Sequence, residues 1–194
     1  MEFQLLSIVC FMTFYGCYFV KTLCQKRQGI KTDQMGKDKT GPAKYVEITL
    51  KMTAVLVLIA ELVSIFLDTG QSSPPAVRVV GAIMSVAGTV VFIAAVWTMK
   101  DSWRAGVSTI DQTELVTGGI YQISRNPAFL GFDLLDIGTL LMFFNWFLCF
   151  LTVFALIMYH LQIVAVEEKF LISEFGDEYL QYRKKVCRYT GRKH

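Results

Sequence analysis

The segment Leu115–Gly131 reads LVTGGIYQISRNPAFLG and stands between two strongly apolar parts of the chain. Gly118 and Gly119 can adopt backbone angles closed to other residues, which predicts a tight turn there. Pro127 fits the first turn of a helix, and Asn126 before it is a good N-cap residue. We therefore predict a loop that brings polar groups to the N-terminal end of an apolar helix, where free N–H groups favour a polar or anionic ligand. An ordinary membrane-entry loop is the alternative.

A second polar stretch follows the next apolar region. After Pro127 the chain is apolar as far as Val166, and from Glu167 it reads EEKFLISEFGDEYLQY. If the apolar part is a helical hairpin, both polar stretches lie at one membrane face, and Arg125 returns close to the two glutamates. Arg125 then either pairs with a ligand carboxylate or forms an ion pair with Glu168 that fixes the hairpin.

The rest of the chain has the composition of a membrane protein. Of its residues 54% are hydrophobic and 18% are charged, and the apolar residues fall in long blocks. A helix needs about 20 such residues to cross about 30 Å of hydrocarbon. We therefore predict an all-α, multi-pass integral membrane protein, a single membrane domain over residues 1–194. The five predicted transmembrane helices are Phe3–Leu23, Tyr45–Leu67, Val77–Met99, Ala128–Phe144 and Trp146–Val166.

Four features of these spans predict the position or the contacts of particular residues. Gly81 and Gly88 share one face of the third span, which suits close packing of two helices. Glu47 and Lys51 are spaced to form a pair along the second span. We interpret Glu61, further along that span, as a residue of the far membrane interface, with a carboxyl that faces protein as the alternative. Only Asn145 separates spans four and five, which predicts an antiparallel hairpin.

The C-terminal part predicts an amphipathic helix. Apolar residues recur every three or four positions from Leu171 to Val186, a spacing that places them on one helix face. Gly176 predicts a kink in this helix.

Positive charge predicts the orientation in the membrane. The segment Lys21–Lys44 and the tail from Arg183 onward are the most basic parts of the chain, so both are expected in the cytoplasm, where the tail suits an anionic leaflet. Five spans then put the N-terminus outside and both polar stretches inside, in the cell membrane if the host is prokaryotic.

Several classes of function are disfavoured. The formal charge of +3 follows from the flanking loops and predicts no nucleic-acid binding. The two histidines, His160 and His194, and five cysteines without a CxxC pair predict neither a metal site nor a disulfide framework. No Gly-rich loop joins a strand to a helix, which excludes a Rossmann-type nucleotide-binding fold.

Four motifs occur in a fixed order along the two polar stretches. They are LVTGGIY from Leu115, RNPAFLG from Arg125, the pair of glutamates after a hairpin, and FGDEYLQY from Phe175. In this order they resemble the isoprenylcysteine carboxyl methyltransferase family. The resemblance covers residues 112–188 and implies that this segment is the cofactor-binding methyltransferase core. The compact length is similar to prokaryotic members, in particular to an archaeal integral membrane methyltransferase.

The resemblance implies S-adenosylmethionine as the cofactor and methyl transfer as the reaction. The implied cofactor-binding residues are Thr113, Glu114, Leu115, Val116, Tyr121, Asn126, Pro127, Ala128, Phe129 and Glu167. Arg125, Asn126 and Glu167 are the implied catalytic residues, with Glu167 holding the α-amino group of the cofactor. Asn126 and Phe129 stand where the family has His and Tyr, so hydrogen bonds from those rings are made differently or are absent.

The resemblance also implies a lipophilic methyl acceptor, first of all the carboxylate of a prenylated cysteine. It would enter from the bilayer between helices, with spans four and five facing lipid. A carboxylate is already ionised at neutral pH and needs no general base. Membrane lipids are the other predicted partners, and a monomer is expected.

Three alternatives stay open. They are a phospholipid N-methyltransferase, an NADPH-dependent membrane reductase, and a non-enzymatic lipid-binding or transport protein. The reductase is disfavoured because no further basic groups are apparent near Arg125 to bind a 2′-phosphate. A transporter is disfavoured because the charged residues gather at one membrane face.

Overall fold

The computed structural model describes residues 1–36, 41–106 and 114–192. Its helices are α1 (Glu2–Arg27), α2 (Pro42–Leu67), α3 (Pro75–Met99), α4 (Pro127–Met142), α5 (Trp146–Leu161) and α6 (Glu168–Lys185). A π-helical turn, Gln162–Glu167, joins α5 to α6, and short 3-10 turns lie at Thr69–Ser72, Lys100–Ser102 and Gly119–Gln122. Across these ranges the only β-type pairing is two isolated bridges. The predicted all-α class is confirmed.

Four helical segments are long and apolar enough to cross a membrane. They are α1, α2, the segment Pro75–Ser102 that contains α3, and the continuous helix Trp146–Lys185. This confirms a multi-pass membrane protein. The predicted fourth span corresponds to α4, which ends at Met142 and has 16 residues, fewer than the usual crossing of about 20. The count of five spans therefore stays a prediction.

Polar contacts tie the helices together at both ends of the bundle. At the end where α4 begins, called here the site end, Gln25 of α1 donates a hydrogen bond to the carbonyl oxygen of Trp103 at 2.9 Å. At the opposite end Arg78 pairs with Asp68 at 2.6 Å. There the predicted turn residue, Asn145, is the N-cap of α5 and accepts a hydrogen bond from the Leu148 N–H. These contacts fix the end of α1 to the segment after α3 and the end of α2 to the start of α3, and they cap α5.

Helices α3 and α4 approach each other closely through glycines. A Cβ atom on Gly81 would lie 2.5 Å from the carbonyl oxygen of Gly138, and one on Gly88 would lie 2.7 Å from that of Gly131. Small residues allow such backbone contact in membrane proteins, where dispersion replaces the hydrophobic effect as the packing force. The predicted close-packing face of the third span is confirmed.

Gly88→Ala is expected to destabilise the protein by about 1–3 kcal/mol, because the new methyl group cannot fit without separating the two helices. The measurement is the thermal unfolding midpoint in detergent. Gly16→Ala is the matched control, since a Cβ there meets no atom within 4 Å. Equal unfolding midpoints for the two variants would contradict the packing argument.

Two predictions about charged residues of α2 are wrong. Glu61 is fully buried inside the bundle, because its face of α2 packs against other helices instead of reaching the far interface. Lys51 pairs with Asp33 at 2.5 Å, while the carboxylate of Glu47 accepts a hydrogen bond from the Gly36 N–H at 2.7 Å. Partners brought by the preceding loop thus replace the predicted contact between Glu47 and Lys51.

Helix α6 packs by the face that its periodicity predicts. Its inward residues join one core cluster, comprising the buried Tyr179, Tyr182 and Val186 and the partly buried Leu171 and Phe175. Gly176 has φ 48° and ψ −123° within the helix, which confirms the kink. This face covers the loop that precedes α4.

Candidate active site

A cavity of about 410 Å³ lies at the site end and extends between the helices toward the middle of the bundle. Its lining is charged at the site end, where Glu114, Arg125 and Glu167 contribute. Deeper in, aromatic and aliphatic side chains of α1, α2, α4 and α5 line it. One cavity therefore joins a charged region to an apolar region.

The predicted site residues gather around this cavity. Those that line it are Glu114, Leu115, Val116, Tyr121, Arg125, Asn126, Ala128, Phe129 and Glu167. Pro127 is buried in the first turn of α4 and is not among the lining residues. Thr113 lies outside the described residues. The role of each residue remains a prediction.

The tight turn predicted at the glycine pair is present. Gly119 has φ +56°, a backbone angle that residues with a Cβ rarely adopt. A Cβ on Gly119 would also lie 2.9 Å from side-chain atoms of Thr98. Both the backbone angle and the lack of space therefore disfavour a larger residue. The hydroxyl of Tyr182 on α6 donates to the carbonyl oxygen of Tyr121 at 2.6 Å. The turn is therefore held between α3 and α6.

Asn126 occupies the predicted N-cap position of α4, but its side chain does not cap the helix. The side-chain amide donates to the carbonyl oxygen of Arg188 at 3.1 Å, and the Asn126 N–H donates to Ser124 Oγ at 3.1 Å. The C-terminal tail presents a backbone acceptor beside Asn126, and this contact replaces the expected cap.

Glu168 is the centre of a buried ion-pair network. Its Oε1 lies 3.0 Å from Arg125 Nη1, and these side chains are only 6% and 4% exposed. Arg188 donates to both carboxylate oxygens, at 2.9 and 3.0 Å, and these hydrogen bonds raise the pKa of Arg188. Arg125 also donates to the Tyr179 hydroxyl at 2.7 Å. The ion-pair interpretation of Arg125 is therefore confirmed, while its guanidinium also lines the cavity.

The C-terminal tail holds the loop that carries Arg125. The carbonyl oxygen of Cys187 accepts from the Arg125 N–H at 3.1 Å, and the Gly191 N–H donates to the carbonyl oxygen of Ile123 at 2.8 Å. Tyr189 and His160 share a hydrogen bond of 2.8 Å. The sequence analysis missed this role, because the tail was interpreted only as a basic, membrane-facing segment.

At the π-helical turn the side chains of the two adjacent glutamates point in different directions. Glu167 ends this turn, is half-buried and lines the cavity, whereas Glu168 points to Arg125 and Arg188. Burial, and after it the negative charge of Glu167, raises the pKa of Tyr121. Such π turns often occur at functional sites. The predicted fifth span, Trp146–Val166, lies within the continuous helix Trp146–Lys185, and its last residues belong to the π-helical turn that follows Leu161.

The loop after α1 and the loop after α3 together form the roof of the cavity. The Gln34 N–H donates to the carbonyl oxygen of Ala105, and the Ala105 N–H donates to that of Thr32, both at 2.9 Å. The roof residues that line the cavity are Asp33, Met35, Arg104, Ala105 and Gly106. The sequence analysis missed them, because the loops are distant in sequence and neither carries a recognisable motif.

The apolar part of the cavity reaches the lipid-facing surface between α1 and α2. Phe19 of α1 and Val55 of α2 both line it, yet they are 58% and 53% exposed. Spans four and five were predicted to face lipid beside the site. Apolar residues of α5 such as Phe150 and Val153 are indeed exposed, while the exposed edge of the cavity lies between α1 and α2. The route of the acceptor stays a prediction.

Residues 76–178 match the family described as phospholipid methyltransferase, more than half of the chain. The chain belongs to the phospholipid methyltransferase family. The match begins in α3, before the predicted core of residues 112–188, and ends within α6. It thus includes the third predicted span, Val77–Met99, which lies outside that core.

Similar proteins are named protein-S-isoprenylcysteine O-methyltransferase. The chain is 34% identical over 110 residues to the one from Saccharomyces cerevisiae, covering 56% of this chain and 46% of the yeast protein. It is 42% identical over 72 residues to that of Schizosaccharomyces pombe, covering 37% and 30%. For form A of Arabidopsis thaliana the identity is 29% over 140 residues and 70% of each chain. The predicted resemblance to the isoprenylcysteine methyltransferases is confirmed, although the chain spans less than half of the length of the two yeast proteins.

Proposed function

We propose that the protein is an integral membrane methyltransferase that uses S-adenosylmethionine to methylate a lipophilic acceptor, the carboxylate of a prenylated cysteine. The observation that carries the proposal is the single cavity, which joins charged groups at the site end to an apolar region open to lipid. An acceptor with a charged head and an apolar tail matches this division. The names of the similar proteins support the same acceptor class.

The cavity residues fit the cofactor. When bound, S-adenosylmethionine supplies an electrophilic methyl group on a sulfonium. Glu167 would hold the α-ammonium group by a charge-assisted hydrogen bond, and the backbone from Glu114 to Val116 would bind along the cofactor. Tyr121 and Phe129 add aromatic surface at the same end of the cavity. Asn126 stands where the family has His and has no ring to offer. Its side-chain amide instead donates a hydrogen bond to the C-terminal tail.

The chain has groups for the acceptor head as well. Arg104 and Arg125 are the arginines that line the cavity in the described part of the chain. Their guanidinium groups would bind a carboxylate, and the roof and α6 would exclude water that competes with it. A general base is unnecessary, because the carboxylate is already ionised.

The proposal includes the finer topology. The basic loop after α1 and the basic tail support a site end in the cytoplasm, together with five spans, the N-terminus outside and a prokaryotic cell membrane as the location. We also propose a monomer.

Four compounds separate the proposal from the rival enzymes. Purified protein should bind S-adenosylhomocysteine in calorimetry and should methylate an S-farnesylcysteine derivative with labelled cofactor. A phospholipid N-methyltransferase would label phosphatidylethanolamine instead, and a reductase would bind NADP. The test with NADP is included because Arg188 adds a second arginine to the network of Arg125, although Arg188 is engaged with Glu168. Binding of NADP without S-adenosylhomocysteine would overturn the proposal.

A bulky thiol-reactive probe on Val55→Cys, in a background without native cysteines, is expected to block methylation of a long-chain acceptor. The reason is that Val55 lies at the lateral edge of the cavity, where the tail would enter from lipid. Binding of S-adenosylhomocysteine and turnover of a short soluble analogue should persist. Ile59→Cys is the matched control, since Ile59 is also 53% exposed but does not line the cavity. Equal failure of long and short acceptors would contradict lateral entry.

A further inference from the structure

A buried glutamate lies outside the cavity, between the roof and the π-helical turn. Glu47 of α2 and Gln162, the first residue of that turn, are both 0% exposed, and neither lines the cavity. Side chains of these types are seldom buried completely unless hydrogen bonds satisfy them. Their contacts therefore indicate what the burial achieves.

The carboxylate of Glu47 binds the roof and the π-helical turn at once. Its Oε2 accepts a hydrogen bond from the Gly36 N–H at 2.7 Å, and its Oε1 accepts one from Gln162 Nε2 at 3.3 Å. Gly36 directly follows Met35, a roof residue that lines the cavity. One side chain thus connects two parts of the cavity lining without entering the cavity.

The π-helical turn carries this connection to Glu167. Gln162 and Glu167 are the first and last residues of the turn, and the Glu168 N–H bonds to the carbonyl oxygen of Ile163, five residues earlier. Such turns are rare, and α-helical winding of the same residues would rotate Glu167 by roughly 100°, the angle of one residue in an α-helix. An anchor on the first residue of the turn therefore restricts the direction of the last, which lines the cavity.

We propose that Glu47 is a positioning residue, which fixes Glu167 relative to the roof through Gln162. This inference rests on the proposed function, because Glu167 is the group that would hold the α-ammonium of the cofactor. The cofactor would lie between Glu167 and the roof, so a fixed separation favours its binding. Misplacing a group by about 1 Å can cost about 100-fold in rate even when the altered residue is remote from the chemistry.

Two substitutions at Glu47 test this role. Glu47→Leu removes both hydrogen bonds and should weaken binding of S-adenosylhomocysteine about tenfold in calorimetry. Glu47→Gln should bind it about as tightly as wild type, because the new amide can accept from Gly36 and donate to Gln162 Oε1. Among the described residues that oxygen has no hydrogen-bond partner. Glu61→Leu is the matched control, since Glu61 is also a fully buried glutamate of α2 but its oxygens bond neither the roof nor the π-helical turn.

A double variant measures whether Glu47 acts through Glu167. In a protein that already carries Glu167→Gln, adding Glu47→Leu should weaken binding little further, because the group that Glu47 positions is already lost. Independent effects would instead multiply to about 100-fold and would overturn the proposal. If Glu47→Leu does not fold, Gln162→Leu cuts the same connection at its other partner and should also weaken binding about tenfold.

The outcomes separate this inference from the proposed function. Wild-type affinity in the folded Glu47→Leu or Gln162→Leu protein would overturn the positioning role and leave the proposed function intact. Equal weakening by Glu47→Leu and Glu61→Leu would also overturn it, because loss of any buried carboxyl group of α2 would then suffice. If the wild-type protein binds no S-adenosylhomocysteine, the proposed function fails and the positioning role fails with it.

Discussion

Glu168→Gln is expected to abolish methylation and to lower the thermal unfolding midpoint more than any other single substitution at the site. The carboxylate neutralises Arg125 and Arg188 at once, with all three contacts at 3.0 Å or less. Glutamine keeps the shape but removes the charge, so the nearly inaccessible guanidinium of Arg125 would lose its counter-ion. Breaking a buried pair in this way costs about 3–5 kcal/mol. Unfolding in detergent and the methylation rate measure the effect.

A control on the same helix separates this effect from loss of any acidic side chain. Glu174 of α6 is exposed, so Glu174→Gln should leave both the unfolding midpoint and the rate unchanged. Removing one of the two cations as well should relieve part of the imbalance. The double variant Glu168→Gln with Arg188→Gln is therefore expected to unfold at a higher temperature than Glu168→Gln alone. Identical midpoints for Glu168→Gln and Glu174→Gln would show that the network contributes nothing to stability.

The helical organisation was predictable because it follows from local patterns. Long apolar blocks predict helices whatever their neighbours are, and Gly81 and Gly88 mark a close contact through spacing on a single helix. The contact partner was not predictable from that spacing, since Gly131 and Gly138 lie on another helix. The π-helical turn was not predictable for a similar reason. A π turn adds no apolar or polar residue, so hydropathy continues unchanged from Leu161 to Val166.

Site residues that belong to sequence motifs were predictable. Site residues that come together only through tertiary contacts were not. Nearly all of the predicted residues around Arg125 and Glu167 line one cavity. Arg188, by contrast, belongs to the network only because the chain turns back after α6, and a basic tail by itself indicates no such turn. Glu47 and Lys51 illustrate the same limit, since favourable local spacing gave way to partners in the preceding loop. Local patterns indicate which contacts a residue can make, and the packing of the helices determines which of those contacts forms.

Glu167→Gln is expected to weaken binding of S-adenosylhomocysteine about tenfold or more, whereas Glu168→Asp should change it much less. Glu167 presents its carboxylate to the cavity, where the α-ammonium of the ligand would bind. A hydrogen bond to a charged group contributes roughly 1.5–3 kcal/mol, and each 1.4 kcal/mol corresponds to about tenfold in the dissociation constant. Glu168→Asp keeps the charge between the two arginines, so the ligand's surroundings should persist. Calorimetry on folded protein of each kind measures the difference, and unchanged affinity in Glu167→Gln would remove Glu167 from the cofactor site.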